Sequence, residues 1–473
     1  MKRALSVIAV ALLATNSAAQ SVSSMSKTTR DFVTVSEPVV ALTNVTVIDG
    51  TGAAAKPHQT IVIRGEKIAA VGAASSVTVP QGARTIDLSG QTVIPGLIGM
   101  HDHLFYTAAG GREVSLGYSG PRLYLGSGVT TIRTTGSLAP YADIDTKHAV
   151  DVGQIPGPHI VLTAPYITGA NGGGGMAVVA SPEAARRFVS YWAQEGATWI
   201  KAYTDIKRAD LKAAIDEAHK RGLKVTGHLC SVSFQEAVDL GIDNLEHGFM
   251  TNTDFDPQKK PDMCPANSMT RVGMANASGE TAHLTIKKMV DHKVPMTSTL
   301  AVFEPFFKNR PVSDERTLDA MAPEVKTAYL NVRSFIDTSS TWTFTSEMLK
   351  NQMAFEKEFV DAGGMLAAGV DPTGFGGALP GFGDQRNYEL FIEAGFTPAQ
   401  AVQIMSANGA KILGVYGKTG SLETGKAADL VVLNGDLAAD PSTIRKVTTV
   451  FKDGVGYDSA KLIASVKGQV GIR

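Results

Sequence analysis

The sequence predicts an α/β fold in which a (β/α)₈ barrel carries a small β-sandwich domain built from both ends of the chain. Three observations support this prediction. The middle of the chain alternates apolar strands with amphipathic helices, eight such strand candidates occur, and short alternating strands with turn signals appear near both ends. An open, doubly wound parallel sheet is the alternative that the same alternation allows.

The predicted strands near the two chain ends share one sequence pattern. Runs such as Thr-Ile-Val-Ile-Arg-Gly at 60–65 precede the barrel, and Ala-Asp-Leu-Val-Val-Leu at 428–433 follows it. Apolar residues alternate with polar ones there, and glycines mark the turns. We therefore expect residues 38–93 and 418–473 to form the β-sandwich domain and residues 94–417 to form the barrel.

The eight barrel strands are predicted from apolar runs that are separated by helical periodicity. They fall at residues 93–103, 129–134, 160–166, 198–203, 224–228, 244–247, 294–300 and 365–371. Helices are predicted at 182–195 and 209–221, where apolar residues recur at helical spacing. The segments 248–293 and 301–345 are too long for simple loops, so we expect extra helices over the barrel mouth.

The charge balance argues against a nucleic-acid partner. The chain has 473 residues, with 44 basic and 45 acidic side chains and a formal net charge of -1. This balance gives no attraction to nucleic acid, and none is expected as a partner. A hydrophobic share of 44% is ordinary for a globular protein with a large core.

The amino-terminal residues have the pattern of a secretory signal. Met1-Lys2-Arg3 is basic, residues 4–14 form a short apolar run, and Ser17-Ala18-Ala19 supplies small residues for cleavage. We expect a signal peptide at 1–19, a polar leader at 20–37, and a periplasmic or secreted protein. The apolar run is too short to remain as a membrane anchor.

Cysteine is scarce in this chain. Cys230 and Cys264 are the only two, so a thiolate-rich metal site and a disulfide scaffold are both excluded. One disulfide could form in an oxidising compartment, but the sequence does not establish whether the two residues meet.

Side chains that can bind metal fall at the ends of five predicted strands. In a parallel barrel, the carboxyl ends of the strands share one face, and residues two apart on a strand point the same way. Imidazole and carboxylate ligands together suit zinc. The candidates in chain order are His101, His103, Lys201, His228, His247 and Asp371.

Lys201 is the most informative of these candidates. It lies inside a strand between the apolar residues Ile200 and Ala202. A buried ammonium group is costly and shifts towards the neutral amine. A neutral amine can react with CO₂ to give a carbamate, whose two oxygens can bridge two cations.

These motifs resemble those of the amidohydrolase superfamily, and most closely its imidazolonepropionase-like and prolidase-like branch, which includes Xaa-Pro dipeptidases and metal-dependent carboxypeptidases. The resemblance rests on Thr-Val-Ile-Pro-Gly-Leu-Ile-Gly-Met-His-Asp-His at 92–103, on Asn-Leu-Glu-His at 244–247, and on the other candidate ligands. Tail motifs at 394–401, 407–414 and 425–433 agree with it. The similarity extends from about residue 40 to residue 456.

The resemblance implies a role for each candidate ligand. His101, His103 and Asp371 would bind the more buried of two divalent ions, most simply Zn²⁺, and His228 and His247 would bind the second. A carbamate on Lys201 would bridge the ions. A hydroxide shared by the metals would attack the substrate carbonyl, and Asp371 would carry its proton to the leaving group.

The resemblance also implies cleavage of an amide bond in a dipeptide or N-acyl amino acid with a free carboxylate. Deamination is disfavoured because leucine, rather than glutamate, follows His228 at the end of the fifth predicted barrel strand. Departures from relatives are Gly99, Thr134 and a Gly-rich stretch at 169–175 without histidine. Candidates for binding the substrate are Tyr106, Arg112, Arg133, Tyr203 and Asn171; Arg133 could instead pair within the barrel.

Two alternatives stay open at this point. The same centre could serve a lactonase or ester hydrolase, or the chain could be a catalytically inactive exported binding protein. The sequence does not determine the oligomeric state, and a homo-oligomer is possible.

Overall fold

A computed structural model describes residues 22–472 of the chain, so the predicted signal peptide lies outside the described residues. Residues 22–37 do not form a separate leader. They contain a short helix, α1 (Lys27–Arg30), and a strand, β1 (Val33–Val35), that pairs with a strand near the carboxyl end. The alternation Val-Thr-Val explains the difference, because it buries Val35 in the core of the end sheet.

Both chain ends contribute to one mixed sheet of nine strands, as the sequence predicts. Six strands precede the barrel: β1, β2 (Val39–Val47), β3 (Lys56–Arg64), β4 (Lys67–Ala73), β5 (Arg84–Asp87) and β6 (Thr92–Pro95).

The middle of the chain supplies the barrel strands and three minor strands. These are β7 (Leu97–Asp102), β8 (Phe105–Ala108), β9 (Arg112–Ser115), β10 (Val129–Thr134), β11 (His159–Thr168), β12 (Ala177–Val178), β13 (Trp199–Ala202), β14 (Lys224–Gly227), β15 (Asn244–Glu246), β16 (Met296–Ser298) and β17 (Leu366–Ala368). Three further strands complete the end sheet: β18 (Leu430–Leu433), β19 (Val447–Lys452) and β20 (Val455–Asp458).

The end sheet has the order β1-β20-β19-β18-β6-β2-β3-β4, and β5 pairs with β2. Its amino-terminal and carboxyl-terminal strands meet where β6 pairs antiparallel with β18. Leu42, Ile61, Val93 and Leu430 are buried together on one face. This apolar face holds the two ends of the chain in a single small domain.

Eight parallel strands form a nearly closed barrel in the order β7-β10-β11-β13-β14-β15-β16-β17. The eight predicted strands correspond to these eight. Between the first strand and the last, the backbone N–H of Asp371 donates a hydrogen bond to the carbonyl of His101 at 2.8 Å. The barrel prediction is confirmed, and the open doubly wound sheet is not the observed architecture.

The first predicted strand divides into two. Residues 93–103 include the end of β6 in the end sheet and all of β7 in the barrel, with Gly96 between them. A Cβ atom at Gly96 would lie 2.0 Å from Oγ1 of Thr130. Only glycine therefore lets the chain pass from one sheet to the other at this point.

Helices surround the barrel, and the two predicted helices are present as α4 and α5. The helices after α1 are α2 (Ser119–Gly126), α3 (Pro140–Asp151), α4 (Pro182–Gln194), α5 (Arg208–Lys220), α6 (Phe234–Leu240), α7 (Ser268–Gly273), α8 (Glu280–Asp291), α9 (Leu300–Phe303), α10 (Glu315–Ala320), α11 (Pro323–Thr338), α12 (Ser346–Asp361), α13 (Phe382–Glu393), α14 (Pro398–Gln403), α15 (Gly409–Leu413) and α16 (Ser459–Ala464). Within residues 22–472, no helix is both long and apolar enough to span a membrane.

The two long segments contain extra helices, as predicted. The first holds α7 and α8, and the second holds α9, α10 and α11. Met269 in α7 and Phe303 in α9 line a cavity at the barrel mouth. These segments therefore help to shape the space above the ends of the strands.

Cys230 and Cys264 form a disulfide, with their Cα atoms 4.9 Å apart. The bond joins the loop after β14 to the segment before α7. The two cysteines therefore meet, which the sequence alone did not establish. The disulfide links the segment before α7 to the end of a barrel strand.

Candidate metal centre

The six predicted ligands lie at the carboxyl ends of barrel strands. His101 is in β7 and Lys201 is in β13, while His103, His228, His247 and Asp371 follow directly after or within a few residues of β7, β14, β15 and β17. Five of them line one cavity of 330 Å³, and the sixth, His103, contacts Asp371. The topology therefore brings all six into one region, as the sequence predicts.

Asp371 and two imidazoles form the tightest group. Its carboxylate oxygens lie 3.6 Å from Nε2 of His101 and 3.3 Å from Nε2 of His103. One donor atom from each residue lies within 4.8 Å of the others. Burial alone would raise the pKa of Asp371, but the neighbouring His101 and His103 hold it below its usual value. The group presents an ionised carboxylate and two imidazoles to one point in space.

Hydrogen bonds behind the two rings set their orientation. Nδ1 of His101 lies 2.7 Å from Oε2 of Glu246, and Nδ1 of His103 lies 3.2 Å from the carbonyl oxygen of Gly136. Both contacts require the proton on Nδ1, which leaves the Nε2 lone pair directed towards Asp371. This is the tautomer that a metal-binding imidazole needs.

Glu246 is a buried carboxylate behind the candidate ligands that the sequence prediction missed. It is fully buried and accepts hydrogen bonds from Asn244 at 2.9 Å, from Arg133 at 2.5 Å and from Thr226. Burial opposes ionisation of this carboxyl, but Arg133 keeps its pKa below the usual value. An acidic residue at the end of a predicted barrel strand, directly before a candidate ligand histidine, is the sequence signal that could have identified it.

His228 and His247 lie next to the tight group. Their ring centroids are 4.3 Å apart, and the His247 ring is 4.4 Å from that of His101. Nδ1 of His247 is within 2.8 Å of the Thr299 hydroxyl. Burial lowers the pKa of His228 to about 3 and lowers those of His101 and His247 well below the usual value. These rings stay neutral at pH 7, which is the form that binds metal.

Lys201 is buried beside these ligands, with 1% of its surface exposed. Its Nζ atom has no hydrogen-bond partner among the described groups. Burial lowers the pKa of this amine to about 8. An unpartnered buried amine is costly, so this position favours either the neutral form or a chemical change that gives it partners.

Two of the predicted ligands have left-handed backbones. The φ angle is 69° at His247 and 48° at Asp371. Such conformations in residues other than glycine cost about 1–3 kcal/mol and are concentrated at functional sites. Thr373 supports the second one, because its hydroxyl donates to Oδ1 of Asp371 at 2.9 Å.

In the hairpin of β8 and β9, two predicted substrate contacts, Tyr106 and Arg112, point away from the cavity. Thr107 pairs with Glu113, and side chains alternate between the two faces of the hairpin. Phe105, Thr107 and Glu113 line the cavity. Tyr106 lies on the other face, where its hydroxyl donates to the Gly376 carbonyl. Arg112 is exposed on that face and donates to the carbonyl of Gly471 at 2.9 Å.

Of the other predicted substrate contacts, only Tyr203 lines the cavity. Arg133 is fully buried, packs over Trp199 and pairs with Glu246, so it does not reach the cavity. Its pairing within the barrel is the alternative that the sequence had left open. Asn171 is exposed and lies outside the cavity wall.

The departure at Gly99 has a steric cause. A Cβ atom at this position would lie 1.8 Å from Oδ2 of Asp102. Asp102 is buried, and its Oδ1 accepts a hydrogen bond from the backbone of Val370 at 3.0 Å. The Asp102 carboxylate thus occupies the space that any side chain at residue 99 would need.

The profile of the amidohydrolase family matches residues 92–456 of this sequence. The match covers most of the chain and all six candidate ligands. The protein therefore belongs to the amidohydrolase family.

Solved structures agree with this fold. A Xaa-Pro dipeptidase with methionine bound in its active site is 20% identical, with a TM-score of 0.65 over 89% of this chain and 100% of that one. The ochratoxinase of Aspergillus niger is 17% identical, with a TM-score of 0.64 over 89% of this chain and 95% of that one. These likenesses establish the architecture of the fold.

An uncharacterized protein of Mycobacterium tuberculosis is 28% identical over 186 residues. The match covers 35% of this chain and 47% of that protein, so the chain spans about half the length of this relative.

Proposed function

We propose that this protein is a metal-dependent hydrolase with a two-ion centre that cleaves the amide bond of a peptide or an N-acyl amino acid. The observation that carries the proposal is the meeting of four imidazoles, the Asp371 carboxylate and the Lys201 amine at one cavity. A member of the amidohydrolase family with this set of donors retains what hydrolysis requires.

The donor set fits a pair of zinc ions. His101, His103 and Asp371 would hold one ion, and His228 and His247 would hold the other. Lys201 would contribute to both as a carbamate, formed when its amine adds to CO₂ with loss of a proton. The unpartnered Nζ supports this assignment, because carbamate formation gives the buried group a charge that the ions balance.

Bound divalent ions would supply Lewis acidity and make water acidic enough to ionise near pH 7. The protein's own residues would manage the protons. Asp371 would accept one from the attacking water and deliver it to the leaving nitrogen. Its depressed pKa and its hydrogen bond from Thr373 keep it an ionised acceptor in the resting site.

The described relatives support an amide substrate. They include a Xaa-Pro dipeptidase and an ochratoxinase, which share the fold at low identity. The test is a hydrolysis screen on the zinc-loaded full chain with dipeptides, N-acyl amino acids, and lactones and aryl esters as comparison substrates. Amide turnover that vanishes with a chelator supports the proposal; turnover of esters alone, or none by zinc-replete protein, contradicts it.

We further propose that the protein is exported, to the periplasm or beyond the cell. The signal-like pattern at residues 1–19 and the Cys230–Cys264 disulfide both support this location, because disulfides persist in oxidising compartments. Fractionation of cells that express the full chain tests it. Retention of the protein in the cytoplasm with its amino terminus uncleaved would contradict it.

A further inference from the structure

The cavity wall has an unexpected balance of charge. Among the described residues that line it, Lys201 is the only cationic side chain, and it belongs to the candidate metal centre. Glu113 is the only carboxylate on the wall besides Asp371. A substrate carboxylate would therefore find no free cation there, whereas a substrate cation would find an acid.

Glu113 is free to bind a ligand. It is exposed in β9, opposite Thr107, on the face of the hairpin that borders the cavity. Within residues 22–472, no group is hydrogen-bonded or ion-paired to its carboxylate. Its neighbour Arg112 is on the opposite face of the hairpin and is bound to the Gly471 carbonyl. The carboxylate thus borders the cavity without a compensating charge from the protein.

Aromatic rings line the same cavity as Glu113 and the metal centre. They are Phe105, the adjacent pair Tyr166 and Tyr203, and the adjacent pair Phe303 and Phe306. Aromatic faces attract ammonium groups, and aromatic walls also accept apolar side chains. This part of the cavity suits a substrate with a cationic group next to an apolar side chain.

We propose that Glu113 binds the protonated amine of the substrate, so that the enzyme cleaves aminoacyl amides in preference to N-acyl amino acids. This inference rests on the proposed function and narrows its substrate class. In the reaction, water adds to the acyl carbon and the C–N bond breaks. The acyl part leaves as an amino acid carboxylate, and the nitrogen leaves as an amine that has gained a proton.

The test compares substrates that differ only at the amine. The zinc-loaded full chain is assayed with phenylalanyl-proline and phenylalanine 4-nitroanilide, and with the N-acetyl form of each. We expect kcat/KM to be at least about tenfold higher for each free amine, as for a charge-assisted hydrogen bond. In Glu113→Gln the ratio of free to acetylated kcat/KM should fall about tenfold, mainly through KM.

Glu113→Lys provides a second variant with the opposite expectation. It should make an N-succinyl substrate, which carries a carboxylate in place of the amine, better than the free-amine form. The matched control is Glu324→Gln, which removes the same charge from an exposed position in α11 outside the cavity wall and should leave the ratio unchanged.

Two failures can be told apart. If amides are cleaved but the acetylated forms match the free amines, or if Glu113→Gln leaves the ratio unchanged, the role of Glu113 is wrong while the proposed function stands. If zinc-replete protein cleaves none of the four substrates and no amide in the wider screen, the proposed function fails and this inference fails with it.

Discussion

Glu246 accepts a hydrogen bond from Nδ1 of His101 at 2.7 Å, while Nε2 of the same ring faces the Asp371 carboxylate at 3.6 Å. The imidazole is thus fixed between a buried carboxylate behind it and a candidate ligand in front of it. Arg133 compensates the charge of Glu246 from within the barrel. A pre-oriented ring needs no rearrangement to bind metal, so the support behind the ligands is as important as the ligands themselves.

Replacing Glu246 tests this support. Glu246→Gln should weaken zinc binding about 10–100-fold. A carboxylate that accepts a hydrogen bond from a ligand histidine makes that ring more basic, and losing such a group typically lowers metal affinity by this factor. Titration against a chelator of known affinity measures the change. Glu356→Gln is the matched control: burial raises the pKa of Glu356 to about 8, so this carboxyl is neutral at pH 7 and glutamine resembles it. Equal zinc affinity in the two variants would contradict the role of Glu246.

The proton role of Asp371 predicts a separation of folding from turnover. Asp371→Asn should keep the thermal unfolding temperature within a few degrees but lower kcat by roughly 10²–10⁴-fold, the range of general acid–base catalysis. Zinc affinity is measured in parallel, and assays are run at saturating zinc. Turnover like that of the wild type would refute the assignment.

A carbamate on Lys201 predicts that reconstitution depends on CO₂. Metal-free protein given zinc in CO₂-free buffer should recover little activity, and added bicarbonate should restore it. Carbon-13 bicarbonate should give a carbamate signal by nuclear magnetic resonance that is lost in Lys201→Ala. Full recovery without CO₂ would argue against the carbamate. Lys224→Ala, at the start of the neighbouring strand β14, is the control and should keep the signal.

The buried histidines predict that the metal-free protein loses stability in acid. The pKa of His228 is lowered to about 3 when folded, against about 6.5 in an unfolded chain. Between those values the unfolded state binds a proton that the folded state does not, so stability falls as pH falls from 6.5 towards 3. Each such histidine contributes a slope of about 1.4 kcal/mol per pH unit.

Urea unfolding of metal-free protein between pH 7.5 and pH 4.5 measures this slope. His228→Gln should lower the slope by about 1.4 kcal/mol per pH unit, because the variant has no imidazole at this position to bind a proton on unfolding. An unchanged slope in His228→Gln would show that this ring is not held neutral by burial.

The disulfide predicts a redox-sensitive stability. It closes a loop between residues 34 apart in sequence, and such a cross-link contributes about 2–4 kcal/mol. A Cys230→Ser/Cys264→Ser double variant should unfold at lower temperature than the oxidised protein. Reductant should bring the wild type down to the same temperature and leave the double variant unaffected. A wild type that is insensitive to reductant would contradict the contribution.

The convergence of the ligands could be predicted from sequence because parallel strands end on one face. Residues as distant as His101 and Asp371 meet for that reason alone. The supporting pair of Arg133 and Glu246 could not be predicted in the same way. These residues are 113 positions apart, and their contact depends on how two buried strands face across the barrel.

The residues of the cavity wall could not be predicted from sequence for a different reason. In the hairpin of β8 and β9, the residues selected from the sequence, Tyr106 and Arg112, lie on one face, while Phe105 and Glu113 border the cavity on the other. Each strand has four residues; β8 has an aromatic ring on each face and β9 has a charged side chain on each face, so the alternation does not choose between the faces. A shift of one residue then turns every side chain to the opposite side.

The central claim is that six side chains hold two divalent ions and that Lys201 is shared between them. The most direct measurement is zinc content per chain after reconstitution in the presence of bicarbonate, by elemental analysis of wild-type protein and Lys201→Ala. The account predicts two zinc ions in the wild type and a loss of at least one in the variant. A wild type that binds no zinc, or a variant that keeps both ions as tightly as the wild type, would contradict it.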